Sequence, residues 1–285
     1  REAWAPEEWR DEGRVEDDVR RAAKGATRRG SRPQQERGKS QSRPAQERAP
    51  RQQQGRRRGG AGGGASGDGS GGGAPVDDEA SLSDEIRAAV GTQNAERTEE
   101  RLKAAGKAFR RGRYEDARKA LRPLAEAAPS SISIRELYGL SLYRLGRWRQ
   151  ALKELEAWRT LSKGSTDQHP VMADCHRALG QHARVEELWE ELRTADAEPE
   201  IVAEGRIVAA GSLADRGRLA DGIRLLQRAS KPARRAKEHH IRMAYALGDL
   251  YERAGDLPKA REMFQRVAAS EPDFVDVQTR IRALD

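Results

Sequence analysis

Histidine and cysteine are the side chains best suited to hold a metal or attack a substrate, and the chain has five of the first and one of the second. Four of these six fall in one stretch: His169, Cys175, His176 and His182. Zinc ligands on one helix need spacings of three or four residues, because bonds of about 2 Å force the side chains to converge. His169 and His176, like Cys175 and His182, are seven apart, which on a helix is roughly 10 Å along the axis. Cys175 and His176 are adjacent, so on a helix they point about 100° apart and cannot serve as nucleophile and base. Packing is the expected role for all four, and for His239 and His240.

Paired carboxylates such as Glu136 with Glu154, or Glu186 with Glu187, are the remaining route to acid–base work. In a chain that is 35% charged, such pairs arise on any solvated helix face and mark no site. The glycine-rich run 59–74 is followed by neither Lys-Ser/Thr nor a strand–helix junction, so it reads as a linker and not a phosphate cradle. No G-x-S-x-G elbow or kinase signature occurs. The expectation is a non-enzymatic protein with no catalytic, metal or cofactor-binding residues.

The formal charge of +8 is spread unevenly. Residues 1–18 hold three Arg against eight Asp/Glu, residues 19–60 hold fourteen Lys/Arg against Glu36 and Glu47, and Asp68 is the only charge in 61–75. Residues 76–285 are left with only +2. Residues 1–30 contain Trp4, Trp9, Val15 and Val19, and a transient helix is expected there, with acids first and bases last as the helix dipole favours. Its apolar stripe is too thin to stand alone. Residues 31–75 read as a disordered Arg/Gln/Gly-rich linker, since they offer almost no burial to offset the entropy of ordering.

Arg28, Arg29, Arg56, Arg57 and Arg58 are the candidate nucleic-acid contacts of this arm. An excess of twelve positive charges in 19–60 could neutralise phosphates and give weak, salt-sensitive affinity. No aromatic residue lies between Trp9 and Phe109, so the arm has nothing on which bases could stack. An RNA- or ribosome-associated accessory protein, binding electrostatically through the arm, is the alternative reading of function. No apolar run is long enough to span a bilayer, no secretory or lipidation pattern occurs, and the lone Cys175 fits a reducing compartment. The expected location is cytoplasmic, with no membrane contact.

From residue 81 the pattern becomes helical, with Ser81 and Ser83 as expected N-caps and Ile86, Ala89 and Val90 on one face. A repeat follows, marked by Gly112, Gly146, Gly180, Gly217 and Gly255 at spacings of 34, 34, 37 and 38. Seven residues before each glycine stands a small residue: Ala105, Gly139, Ala173, Ala210 or Gly248. Five after comes Ala117, Ala151, Val185, Gly222 or Ala260; nine after, Leu121, Leu155, Trp189, Leu226 or Phe264; twelve after, Leu124, Trp158, Leu192, Ala229 or Val267. Such a register predicts a helix hairpin per repeat: the glycine turns the chain, the small residues allow close crossing, and the large ones fill the space between neighbours. A single hairpin cannot bury both faces, so stability must come from stacking into a solenoid.

These residues resemble the tetratricopeptide repeat (TPR) family. The last repeat carries the pattern in Leu247, Gly248, Tyr251, Ala260, Phe264 and Pro272, the first in Ala105, Tyr114, Ala117 and Pro129, and the second in Gly139, Trp148 and Ala151. Repeats three and four depart from it, with His176 in place of tyrosine, Val185 and Gly222 in place of alanine, and longer connections at 194–202 and 230–240, where a bend is expected. The resemblance implies an all-α, TPR-type helical-hairpin solenoid behind a disordered basic, Gly-rich N-terminal arm. Its parts are a capping helix at 76–94, about five TPR-like repeats over 95–272, and a capping helix at 273–285 with Phe274, Val277, Ile281 and Leu284 inward.

The resemblance also implies that the first helix of each hairpin lines a concave partner-binding groove. Carried over by position, it nominates Phe109, Arg110, Glu136, Tyr143, Arg144, Asp174, Arg177, Arg242, Tyr245, Asp249 and Arg253, a set rich in the Tyr and Arg that dominate binding hot spots. The Lys and Asn set with which the family clamps a C-terminal carboxylate is not supplied. The expected function is a protein–protein interaction scaffold or adaptor that binds a peptide or helix in the groove.

Overall fold

The computed structural model describes residues 76–230 and 236–284. The expected arm, with Arg28, Arg29, Arg56, Arg57 and Arg58, lies outside the described residues. Within them the chain forms twelve helices and no strand: α1 (Val76–Val90), α2 (Thr92–Arg110), α3 (Tyr114–Ala127), α4 (Ile132–Arg144), α5 (Trp148–Leu161), α6 (His169–Ala178), α7 (His182–Thr194), α8 (Pro199–Asp215), α9 (Leu219–Gln227), α10 (Glu238–Arg253), α11 (Leu257–Ser270) and α12 (Val277–Ala283).

The five register glycines set the rhythm. All stand at φ between 68° and 77°, the left-handed region that a Cβ disfavours. At Gly146, its own N–H donates to the Tyr143 carbonyl and the N–H of Arg147 donates to that of Leu142, both at 2.9 Å. That is the Schellman closure of a helix C-terminus, and the other four glycines repeat it. The second helix starts two residues later in every case, so five near-identical turns make five hairpins: α2/α3, α4/α5, α6/α7, α8/α9 and α10/α11. Each second helix then packs against the next first helix, and consecutive first helices touch one another, most closely along α6, α8 and α10. This is an all-α solenoid.

Burial follows the register. Ala105, Ala173 and Ala210, then Ala117, Ala151 and Ala260, and Leu121, Leu155, Leu226 and Phe264 are all at most 3% exposed. Gly222, a departure from the repeat pattern, marks a closer crossing: a Cβ there would lie 2.7 Å from the Ala210 carbonyl oxygen. Alanine at 222 would push α9 away from α8. The helix pairs of repeats three and four therefore form despite their irregular sequences.

Three expectations about helix ends are corrected. Ser81 and Ser83 are not N-caps, because α1 already begins at Val76; the Ser83 hydroxyl instead bonds the Glu99 carboxylate (2.7 Å). The first capping helix stops at Val90, where Gly91 takes φ 76°, and Thr92 opens α2. The last helix starts only at Val277. Val275 adopts φ 49°, a left-handed conformation that a β-branched residue rarely takes and that interrupts any earlier helix. Val277 is fully buried, whereas Phe274, Ile281 and Leu284 are half-buried against the same core. The buried face expected of α1 holds, with Ile86 at 0% exposure and Ala89 and Val90 packed beside it.

Three apolar clusters make up the core. One runs from Ile86 through the repeat-three residues Val185 and Leu188 to Val208 of α8, and a second from Ala203 to Val277. A smaller one of Trp189, Leu192, Ile201 and Ala209 sits beside them, at the junction of repeats three and four.

Candidate functional site

The histidines and the cysteine disperse into packing. Cys175 is buried, and among the described residues no group of His, Cys, Asp and Glu could hold a metal ion. His176 Nδ1 meets the Gln181 side chain (2.6 Å) and His182 Nδ1 the Ser212 hydroxyl (2.9 Å). His169, 1% exposed, places Nε2 against the Glu191 carboxylate (2.9 Å), so Nε2 donates and the buried Nδ1 lone pair is left with no partner. Burial lowers the His169 pKa against the opposing pull of Glu191. Burial likewise lowers that of His239, aided by neighbouring His240 and opposed by Glu200.

These depressed values give stability a pH dependence. Above a pH of about 6.5, the unfolded-state pKa of histidine, both imidazoles are neutral in either state. As pH falls below that value the unfolded chain binds protons that the folded chain resists, so folding loses stability. The melting temperature should therefore drop between about pH 7.5 and 5.5, above the carboxylate range, and a His169→Gln/His239→Gln variant should show a flatter profile. A wild-type melting temperature that stays level or rises on acidification would contradict this.

Eight of the eleven nominated groove residues are buried: Phe109, Glu136, Tyr143, Asp174, Arg177, Arg242, Tyr245 and Asp249. Phe109 is a core residue, 1% exposed and edge-on to Tyr114 at 5.3 Å, so it does not line a surface. The polar ones bond between repeats. Glu136 of α4 accepts from Gln168, the residue before α6 (2.8 Å). Tyr143 donates to Asp174 (2.8 Å). Arg177 donates through Nη1 to Asp174 (3.3 Å) and through Nε to Asp215 at the end of α8 (2.6 Å).

Gly211 leaves room for this guanidinium, since a Cβ there would lie 3.1–3.3 Å from its atoms. Arg253 continues the series, 3.8 Å from Asp215 and 4.0 Å from Asp249. Asp249 accepts from Arg280 of α12 (2.9 Å), and Arg280 also donates to Asp276 (3.2 Å). The Tyr245 hydroxyl closes the series by donating to Asp276, and burial with that bond raises its pKa. Arg242 sits apart, between Glu204 (3.0 Å) and Glu238 (2.9 Å).

A polar ladder thus runs along the first helices from repeat two to the C-terminal cap. The sequence placed these residues on the right helices; their partners Gln168, Asp215, Asp276 and Arg280 were not singled out. The available signal was spacing, since Tyr143 to Asp174 and Tyr245 to Asp276 are both 31 residues apart. The other three nominated residues reach solvent. Arg110 and Arg253 are exposed and Arg144 is half-buried, with its guanidinium 5.1 Å from the Tyr114 ring centre and bonded to that hydroxyl (2.9 Å).

Comparison with known proteins agrees with this architecture. Two family models, each described as tetratricopeptide repeat, match residues 102–166 and 207–270. The stretch between them holds α6, α7 and the first half of α8. The crystal structure of a thermophilic TPR protein from Thermus thermophilus superposes with a TM-score of 0.53 at 17% identity, over 66% of this chain and 98% of that one, a likeness of fold. No curated protein matches the chain. Among the described residues, no helix is long and apolar enough to cross a membrane.

Proposed function

Because the chain is a tetratricopeptide-repeat protein, we propose that it is a non-enzymatic scaffold or adaptor that takes up a peptide or helix of a protein partner along the face of its first helices. Such repeats generally mediate protein–protein interaction, and among the described residues His169, His176, His182 and Cys175 take packing roles. The observation that carries the reading is the polar ladder. It fixes consecutive first helices to one another, which gives a partner a rigid face and lowers the ordering cost of binding.

On this reading the nominated residues divide by role. Tyr143, Asp174, Arg177, Tyr245 and Asp249 hold the face in register, with Glu136 and Arg242 bracing it from either side. Arg110, Arg144 and Arg253 make the direct contacts. Arginines at solvent-accessible, pre-positioned sites suit a partner carrying carboxylates or backbone carbonyls.

The test is affinity capture with wild type beside an Arg110→Ala/Arg144→Ala variant, which spares the ladder. Surface contacts of this kind contribute about 1 kcal/mol or less, so helicity and melting temperature should be nearly unchanged. Capture of the specific partners should fall by about tenfold or more, as for hot-spot arginines. An unchanged partner profile from a fully helical variant would remove these residues from the binding face.

A further inference from the structure

The edge on which the hairpins turn carries charge that the scaffold reading does not use. From two residues before the register glycine to seven after it, the first two repeats (110–119 and 144–153) hold nine Arg and Lys against only Glu115 and Asp116. The same windows of the last three repeats (178–187, 215–224 and 253–262) hold seven against six. Residues 76–285 together carry only +2, so the excess of seven on two turns is a local concentration, offset by acid elsewhere. The two turns are neighbours: Arg144 donates to the Tyr114 hydroxyl (2.9 Å), and Arg147 stands 3.8 Å from Glu115.

Both carboxylates on these turns are already engaged. Arg118 donates to the two oxygens of Glu115 (2.6 and 2.9 Å), and Asp116 faces Arg113 at 3.8 Å. Among the described residues, Arg111 and Arg149 have no carboxylate partner, and both are exposed. Between Arg147 and Arg149 stands Trp148, half-buried and held by a tilted contact with the Tyr143 ring at 5.6 Å. These three residues, with Gly146, Gln150 and Leu179, line an open cleft of about 370 Å³ that has no acidic side chain in its wall. Two residues after the glycine is also where Tyr114 stands in the first repeat, with the Arg144 guanidinium 5.1 Å from its ring centre. His182, Leu219 and Leu257 hold that position later in the chain, so at this register a Tyr or Trp coincides with the surplus of cations only on the first two turns.

We propose that this edge of repeats one and two binds single-stranded nucleic acid, with phosphates on Arg111, Arg147 and Arg149 and a base stacked against Trp148. A guanidinium offers phosphate oxygens a planar fork of donors, and an aromatic side chain beside it accepts the face of any base. An acidic peptide would engage the arginines but leave the indole unused, which favours the nucleic acid. Residues 19–60 have charge without a Phe, Trp or Tyr among them, whereas the turn edge has both. Arg111, Arg147 and Arg149 are not among the residues assigned to the peptide-binding face, so this is a second site.

Titration of the full chain with a labelled single-stranded RNA of about 12 nucleotides tests this. Arg111→Glu/Arg149→Glu removes two phosphate contacts at exposed positions. It should weaken binding by about tenfold or more and flatten the log–log salt dependence by about 1.4, or about 0.7 per phosphate. Arg228→Glu/Arg282→Glu makes the same change of charge at exposed positions of the far repeats and should leave affinity within about twofold, since charges that distant are screened. Trp148→Leu, which keeps apolar bulk but removes the stacking face, should cost about tenfold. A thiouridine-containing strand should photocrosslink within 144–153. Adducts confined to residues 19–60, or equal weakening by the two charge-reversed pairs, overturn the proposal. Displacement of the strand by a similar concentration of poly-glutamate of matching length would assign the edge to an acidic protein segment and overturns it as well.

Discussion

Replacing Phe264 with alanine should lower the unfolding free energy by about 3–5 kcal/mol, the usual range for a buried aromatic. The ring is 0% exposed, tilted against Tyr245 at 5.5 Å and lying 5.3 Å from the Arg280 guanidinium. It also rests on the bare backbone of Gly248, where an added Cβ would come within 2.8–3.1 Å of three ring carbons. Gly248→Ala alone should therefore destabilise by about 1–3 kcal/mol, because a rigid ring in a packed core cannot move aside. In the Phe264→Ala background the same methyl enters an empty space. The two substitutions should be less costly together than their sum, with a coupling of about 0.5–3 kcal/mol. Denaturant titration of the two single variants and the double variant gives the cycle; strict additivity would mean that Gly248 is not there to admit the ring.

That pair shows why much of the fold was legible in the sequence. A small residue seven positions before a turn glycine and a large one nine after it are two halves of one contact, so their joint recurrence reports packing directly. Gly139 repeats the arrangement, its missing Cβ falling 2.8 Å from Leu155. The same logic failed where the contact partner is backbone. Gly222 looks like a weakened repeat position until α9 is seen to cross the Ala210 carbonyl, a demand that no side-chain pattern records.

Polar roles were harder to read for a different reason. Periodicity tells which face of a helix a residue occupies, and Tyr143, Asp174, Arg177, Tyr245 and Asp249 do lie on the first helices. Whether that face meets solvent depends on how closely the next first helix approaches, a tertiary quantity. Helix α4 buries Leu140, Ser141, Leu142 and Tyr143 in succession, so neighbours enclose it on every side, and α10 is buried without interruption from Ile241 to Tyr251. Tyrosine and arginine, chosen as hot-spot types, are equally the residues with reach enough to bond across a repeat interface.

Arg177 is where this coupling should matter most. Its side chain is 6% exposed and held between Asp174 of its own helix and Asp215 of the next repeat. Removing one partner from a buried charged set leaves the others desolvated and uncompensated, and Arg177→Met should cost about 3–5 kcal/mol. Arg177→Lys keeps the charge but cannot bond both aspartates in the same plane, so it should recover only part of the loss. The position also determines the form of the unfolding transition. A repeat array is stable through its interfaces as much as its repeats, and Arg177 spans the interface between α6 and α8, where its bonds to Asp174 and Asp215 stand beside the apolar contact that Val208 makes with the N-terminal cluster. Weakening it should uncouple the N-terminal repeats from the C-terminal ones, turning one calorimetric transition into two, with the far-UV signal at low temperature unchanged. A single transition merely shifted to lower temperature would show that the apolar contacts alone suffice to join the halves, and would deny the polar ladder its coupling role.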